Sequence, residues 1–351
     1  MFFTGATVPG SSSIPNEDWA ATTSDLVVLL DGATARTETG CHHGAAWYTR
    51  KLGASIIAGA ASRATPLQEV LAAAIRQVAA LHPECDLTHP GTPSAAGAIV
   101  RVEHDTVHYA VLGDVTIVFD TPGGVRTISD QRVSQTAASE RAEADAYLIG
   151  SPEKADALVR MKHAELAAKN HDGGFWIAAA DPDVVRHAIY GSILLGDLGR
   201  LAVLSDGAAR AVDTFNLLDW SEAMDLLATA GPTALIRRVR SAEEQDPVGR
   251  TWPRNKKSDD ATAVFADAPV SGLVSNKQSE RKTSPVITSP EHAAMIHALL
   301  AEFQNNPRIM GGDTPFRDAS GRACRAEQST NWHRRIALQT EQNLPGPATP
   351  A

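Results

Sequence analysis

Three cysteines in 351 residues, Cys41, Cys85 and Cys324, are too few and too scattered to build a framework. Their odd number and the absence of any CxxC spacing argue against disulfide cross-links and against a zinc site, and fit a reducing cytoplasm. Basic runs are also scarce. The formal net charge is −9 and nothing exceeds short clusters such as Arg237-Arg238 or Lys256-Lys257, so the wide positive footprint of a nucleic-acid binder is missing. No stretch approaches the roughly 20 apolar residues that cross a bilayer. The opening "MFFTGATVPGSSSIPNED" has no basic residue ahead of its apolar ones and no continuous apolar segment, so it does not read as a secretory signal. GxxxxGK, GxGxxG, GxSxG and HExxH are all absent, which disfavours nucleotide kinases, dinucleotide enzymes, serine hydrolases and zinc proteases. The expectation is a soluble, cytoplasmic protein with neither nucleic acid nor membrane as its partner.

What is present is the composition of an ordinary globular domain, 43% hydrophobic and 21% charged. Thr65 as N-cap, Pro66 at the first position and Gln68 closing a capping box predict a helix start. Leu67, Val70, Leu71, Ala74, Ile75, Val78 and Leu81 then recur at helical spacing. Residues 92–128 break into short β-rich runs separated by turn residues, read as an antiparallel meander of about four strands. Residues 134–170 return to helix, with Ser151-Pro152-Glu153 as a start signal. A strand at 201–204, two helices and a final strand "ATAVFA" follow, giving an α+β domain over 1–267 with helices covering antiparallel sheets. The Ser- and Pro-containing stretch 268–290 reads as a flexible linker. Residues 291–351 read as a largely disordered tail with one helix, "PEHAAMIHALLAEFQN".

The chemistry lies in a repetition. "LVVLLDGATAR" (26–36) and "LAVLSDGAARA" (201–211) each run an apolar strand into Asp-Gly, at Asp31-Gly32 and Asp206-Gly207. One such pair is an ordinary turn signal. Here Asn16-Glu17-Asp18, Gly113-Asp114 and Ser258-Asp259-Asp260 add acids at other strand ends, and strand ends of one sheet can converge on one edge. Gathered carboxylates repel and raise one another's pKa unless cations neutralise them, and hard divalent ions with oxygen ligands do so economically. A water shared by two such ions would ionise near neutral pH and attack phosphorus in line with a leaving oxygen.

In this order, "NED", "LLDGAT", "GTPSAAGAIV" with "YAVLGDVTIVF", "LAVLSDGAA" and "KSDDATAVF" resemble the metal-dependent, type 2C serine/threonine protein phosphatases over about residues 4–267. The resemblance implies a four-layer α-β-β-α sandwich, two antiparallel sheets flanked by helices, holding two Mn²⁺ or Mg²⁺ ions. It implies that Glu17 contacts one ion through water with Asp18 beside it, that Asp31 bridges both, that the Gly32 carbonyl helps hold the second, and that Asp206 and Asp259 complete the other. The implied activity is hydrolysis of phosphoserine or phosphothreonine in a phosphorylated protein substrate by a metal-bound hydroxide, with no covalent phosphoenzyme.

Departures from the family pattern set out the rivals. Ser13 stands where many members have a phosphate-gripping Arg, Ala33 stands where some have His after Asp-Gly, and Arg210 stands where a further acid is common. Arg36 or Arg210 is the expected replacement grip, since a guanidinium fork matches phosphate. The same departures favour an inactive binding or regulatory module built on a phosphatase fold, and they leave room for a small phosphorylated metabolite as substrate. His42-His43 is read as non-ligating, because neighbours on a helix diverge, and Cys41 as a small packing residue with no paired base.

Overall fold

The computed structural model describes residues 1–268, together with the short strands Phe316–Arg317 and Ala323–Cys324. The sequence-based linker and tail otherwise lie outside the described residues. Contacts divide the chain into a unit Met1–Leu273 and a unit Val274–Ala351. In the second, the two short strands pair antiparallel, Phe316 opposite Cys324.

The first unit is built on ten strands in two antiparallel sheets. One has the order β1-β10-β9-β6-β7, from Phe2–Val8, Ala261–Asp267, Arg200–Leu204, Thr116–Thr121 and Gly124–Ile128. The other has the order β2-β3-β4-β5-β8, from Trp19–Thr22, Leu26–Gly32, Ala95–Glu103, Thr106–Leu112 and Ile189–Leu194. The continuous apolar run of β3 follows from burial on both faces. Leu26, Val28 and Leu30 pack on helices α1 (Ala45–Ala60) and α2 (Leu67–Ala79), while Val27 and Leu29 point into the layer between the sheets. The other sheet repeats the scheme. Leu201, Val203, Val264 and Ala266 face the inter-sheet core, and Ala202, Leu204, Ala263 and Phe265 face the helices that follow β9. Those helices, numbered after an insert of three, are α6 (Asp206–Asp213), α7 (Trp220–Ala230) and α8 (Pro232–Gln245). The expected α-β-β-α sandwich is thus the architecture.

Several local expectations are corrected. The stretch 92–128 does form four strands, but they are not one meander. The chain leaves the β2-β3-β4-β5-β8 sheet after β5 and enters the β1-β10-β9-β6-β7 sheet at β6, crossing at Gly113-Asp114-Val115, where Gly113 has φ +86° and a side chain would press on Ala96. Alternation within each strand reports two faces but not which partner covers them. Helix α2 begins at Leu67 with Pro66 in the cap position and no side-chain cap, so Thr65 does not cap it. Ser151 does cap its helix, accepting from the Lys154 amide at 3.1 Å. The insert 134–170 is three helices, α3 (Arg132–Gln135), α4 (Ala138–Asp145) and α5 (Pro152–Ala168). Strands β1, β2 and β8 had not been anticipated.

Leu29 is fully buried between two close-packed sheets that cannot collapse onto a void. Leu29→Ala should therefore cost about 2–5 kcal/mol, seen in urea titration as a lower midpoint at unchanged slope.

Candidate functional site

Neither Asp-Gly pair is a turn. Asp31 and Gly32 end strand β3, and Asp206 and Gly207 begin helix α6. They meet across 175 residues: the Asp206 amide donates to Asp31 Oδ2 at 3.1 Å, which sets the Asp31 carboxyl group at the positive end of α6. The glycines are required by close approach. A Cβ on Gly32 would lie 2.6 Å from the Glu17 carbonyl oxygen, and one on Gly207 would run into the Asp260 carbonyl oxygen. The repeated motif therefore marks two places where another chain segment presses against the backbone beside an acid.

Five aspartates from five segments converge here: Asp18, Asp31, Asp114, Asp206 and Asp259. Burial, then the charge of Asp206, pushes Asp31 well above the ordinary carboxylate range. Asp114 rises to about 7 from burial and from Asp206. Asp18, 7% exposed, also rises to about 7, chiefly from burial, and its Oδ2 atom has no hydrogen-bond partner. Asp206 is raised by burial and by the charge of Asp259. Glu17 is raised by burial, an effect offset by the Thr34 hydroxyl at 2.5 Å and by Lys256. Such a set of hard oxygen donors, repelling one another and including an orphaned buried oxygen, suits divalent cations.

Asp259 behaves differently. Burial opposes its ionisation, yet Arg210 and Lys256 hold its pKa below the ordinary value. Arg210 Nη2 donates to Asp259 Oδ2 at 2.6 Å, and Lys256 Nζ lies 2.5 Å from Oδ1. The second arm of Arg210 reaches Glu243, which is 1% exposed and also pairs with Arg240. Arg210, one of the two guanidiniums considered for phosphate, is thus engaged on both arms. Arg36 makes one hydrogen bond among the described residues, Nη2 to the Asn255 carbonyl at 3.4 Å, and lines the cleft beside the acids. Ser13 is exposed and bonded to Ser11, and the Ala33 amide donates to the Ser94 carbonyl.

Several cleft residues were not foreseen. Lys256 also donates to Thr34 at 3.0 Å. Asp260 accepts from the Gly10 and Glu17 amides, both at 2.7 Å, and so fixes the loop that presents Glu17 and Asp18. The insert contributes Arg141, Lys162 and Glu165, with Lys169 just past the end of α5, to the cleft lining. Burial lowers the Lys169 ammonium to about 8. Their only sequence signal is proximity, Lys256 lying three positions before Asp259. Outside the cleft, the structure also gathers Cys41, His43, His82 and Cys85, which spacing had set aside as ligands. Residues 41–44 precede α1, so the argument from divergence on a helix does not apply to them.

The Protein phosphatase 2C family model matches residues 11–237. No curated protein sequence matches the chain. Among solved structures, the chain is similar to the PPM Ser-Thr phosphatase MsPP from Mycobacterium smegmatis in complex with cacodylate, at 19% identity and TM-score 0.47, covering 77% of this chain and 99% of that one. It is similar to the serine/threonine phosphatase Stp1 from Staphylococcus aureus at 14% identity and TM-score 0.47, covering 76% and 94%. It is also similar to the catalytic domain of the phosphatase PstP in complex with two manganese ions, at 16% identity and TM-score 0.44, covering 76% and 97%. With a family match over more than half its length and the acidic motifs of that family gathered in one cleft, this chain belongs to the protein phosphatase 2C family.

Proposed function

We propose that the chain is a Mn²⁺- or Mg²⁺-dependent phosphatase that removes phosphate from phosphoserine or phosphothreonine in proteins. The observation that carries this reading is the convergence of Asp18, Asp31, Asp114, Asp206 and Asp259 on one cleft whose charges the protein's own cations balance only at Asp259. The residues fit the ions. Asp31, Asp206, Asp259 and Glu17, with the Gly32 carbonyl, would hold them, and Asp18 would steady them from its buried position. When bound, such ions neutralise phosphate oxygens and make water nucleophilic near neutral pH. Asp31, fixed by the α6 amide, keeps its carboxylate aimed at the centre of the group. Arg36, with Lys162 and Lys169 across the cleft, attracts the phosphate and offers hydrogen bonds to its outer oxygens.

A second reading has one specific observation in its favour. Asp259 is already neutralised by Arg210 and Lys256, the role a metal would otherwise take. A phosphatase-fold module that binds a phosphorylated partner without turnover would need no more than this.

Hydrolysis of p-nitrophenyl phosphate and of a phosphothreonine peptide should require Mn²⁺ and fall by at least about 100-fold in Asp31→Asn and Asp206→Asn. Metal binding with no turnover in the wild type would select the binding module instead. The two arginines should separate. Arg36→Ala should raise KM more than it lowers kcat. Arg210→Ala should mainly destabilise, by about 1–3 kcal/mol in denaturant titration, because it takes one of two cationic partners from each of Glu243 and Asp259. The pH dependence follows from Asp18 and Asp114. Their folded pKa values lie above the unfolded ones, so in chelator their contribution is complete below about pH 4 and is lost as pH rises through about 7. Thermal unfolding should show the gain in Tm on adding Mn²⁺ growing from pH 5 to pH 8, through the stated value of about 7.

A further inference from the structure

Two short segments that carry no helix or strand hold four soft or borderline donors close together. Cys41 and His43 lie in the loop 33–44 between β3 and α1, and His82 and Cys85 lie in the loop 80–94 between α2 and β4. One donor atom from each of the four lies within 4.8 Å of every other. Cys41 Sγ is 3.4 Å from His43 Nδ1 and 3.4 Å from His82 Nδ1, and Cys85 Sγ is 3.5 Å from His43 Nδ1. A tetrahedral zinc site with Zn–S of about 2.3 Å and Zn–N of about 2.0–2.1 Å has an S···N edge of about 3.5 Å. Three independent sulfur–nitrogen separations thus fall on that edge.

Pairwise hydrogen bonding accounts for less of this arrangement. Cys41 Sγ faces two ring nitrogens and also accepts the His43 amide at 3.4 Å, and the single proton of a thiol can serve only one of those nitrogens. His43 Nδ1 in turn faces two sulfurs. The surroundings fit a closed site. His82 is 4% exposed, and Trp47 packs on both rings, 4.2 Å from His43 and edge-on to His82 at 4.6 Å. His42 is exposed, its ring tilted against His43 and its Nδ1 3.6 Å from Cys85 Sγ, but it stands outside the set of four whose donors all lie within 4.8 Å of one another.

We propose that Cys41, His43, His82 and Cys85 form a structural Zn²⁺ site, separate from the acidic cleft. With two thiolates and two imidazoles it fills all four tetrahedral positions and leaves none for substrate. Its effect is to cross-link the two loops, which otherwise meet through contacts such as the Asp86 amide donating to the Gly40 carbonyl at 2.9 Å. The first loop carries Thr34 and Arg36 along the cleft, and the second carries Thr92, whose carbonyl accepts from Lys169 at 3.2 Å. The zinc therefore fixes one wall of the cleft from outside it.

The test uses the full chain, purified in reducing buffer without added zinc and analysed for metal by mass spectrometry. About one tightly held zinc per chain is expected, falling to background in Cys41→Ser and Cys85→Ser and retained in His42→Ala. Because a cysteine variant can simply misfold, the wild type stripped of metal is also titrated with Co²⁺. Tetrahedral ligand-field bands and a sulfur-to-cobalt charge-transfer band are expected, and displacement by Zn²⁺ should protect two thiols from Ellman's reagent. Carboxylate ligands in the cleft give no such charge-transfer band. The proposal is overturned by zinc-free protein whose thiols react equally with and without Zn²⁺, by Co²⁺ binding without the sulfur band, or by a Cys41–Cys85 disulfide persisting in reducing buffer.

Discussion

The constraint on which the rest of this structure depends is the mutual repulsion of Asp18, Asp31, Asp114, Asp206 and Asp259 in one cleft. Carboxylates brought this close and partly removed from water must give up charge, gain protons or gain cations. Asp259 gains cations from the chain itself, through Arg210 and Lys256. Asp18 and Asp114 instead sit at the boundary between protonated and ionised near neutral pH, and Asp31 is held well above the ordinary carboxylate range. Only a rigid scaffold keeps such a group together, and the sandwich supplies it. Strands buried on both faces hold Asp31 at the end of β3, Asp206 just after β9 and Asp259 just before β10.

Behind the acids a further layer of ion pairs ties the helices to the cleft. Glu243 on α8 takes one arm of Arg210 and one of Arg240, and Arg240 in turn donates to the backbone carbonyls of Asp259 and Val8. A nearly inaccessible carboxylate is tolerable here because two guanidiniums satisfy it. Arg210 thus serves to orient Asp259.

The remaining wall is made of loops and of the insert. Helix α5 and the residue beyond it bring Lys162 and Lys169 into the cleft that Arg36 also lines, so basic groups share it with the acids. The loop bearing Arg36 has no regular structure of its own. Its placement depends on what holds it from outside, which is where the cluster of two cysteines and two histidines bears on the chemistry of the cleft.

The apolar runs of β3, β9 and β10, the start signal at Ser151 and the acids Asp31, Asp206 and Asp259 in family order were legible in the sequence, because each is a local pattern of a few residues. The α+β class and the acidic site followed from them. The division of 92–128 between two sheets was not legible, since alternation records that a face is covered but not by what. Nor was the engagement of Arg210 or the presence of Lys256 and Asp260 in the site, because the Arg210 contacts join residues 33 and 49 positions apart and Asp260 holds an amide 243 positions away. The reason for both Asp-Gly pairs was likewise tertiary: the glycines admit the backbones of Glu17 and Asp260, which a turn reading cannot reveal. The same holds for Cys41-x-His43 and His82-x-x-Cys85. The amino-acid sequence by itself fixed which chemical groups exist and which strands and helices carry them. Only the tertiary structure, by closing loops across two intervening helices, decided that these four would share one point in space.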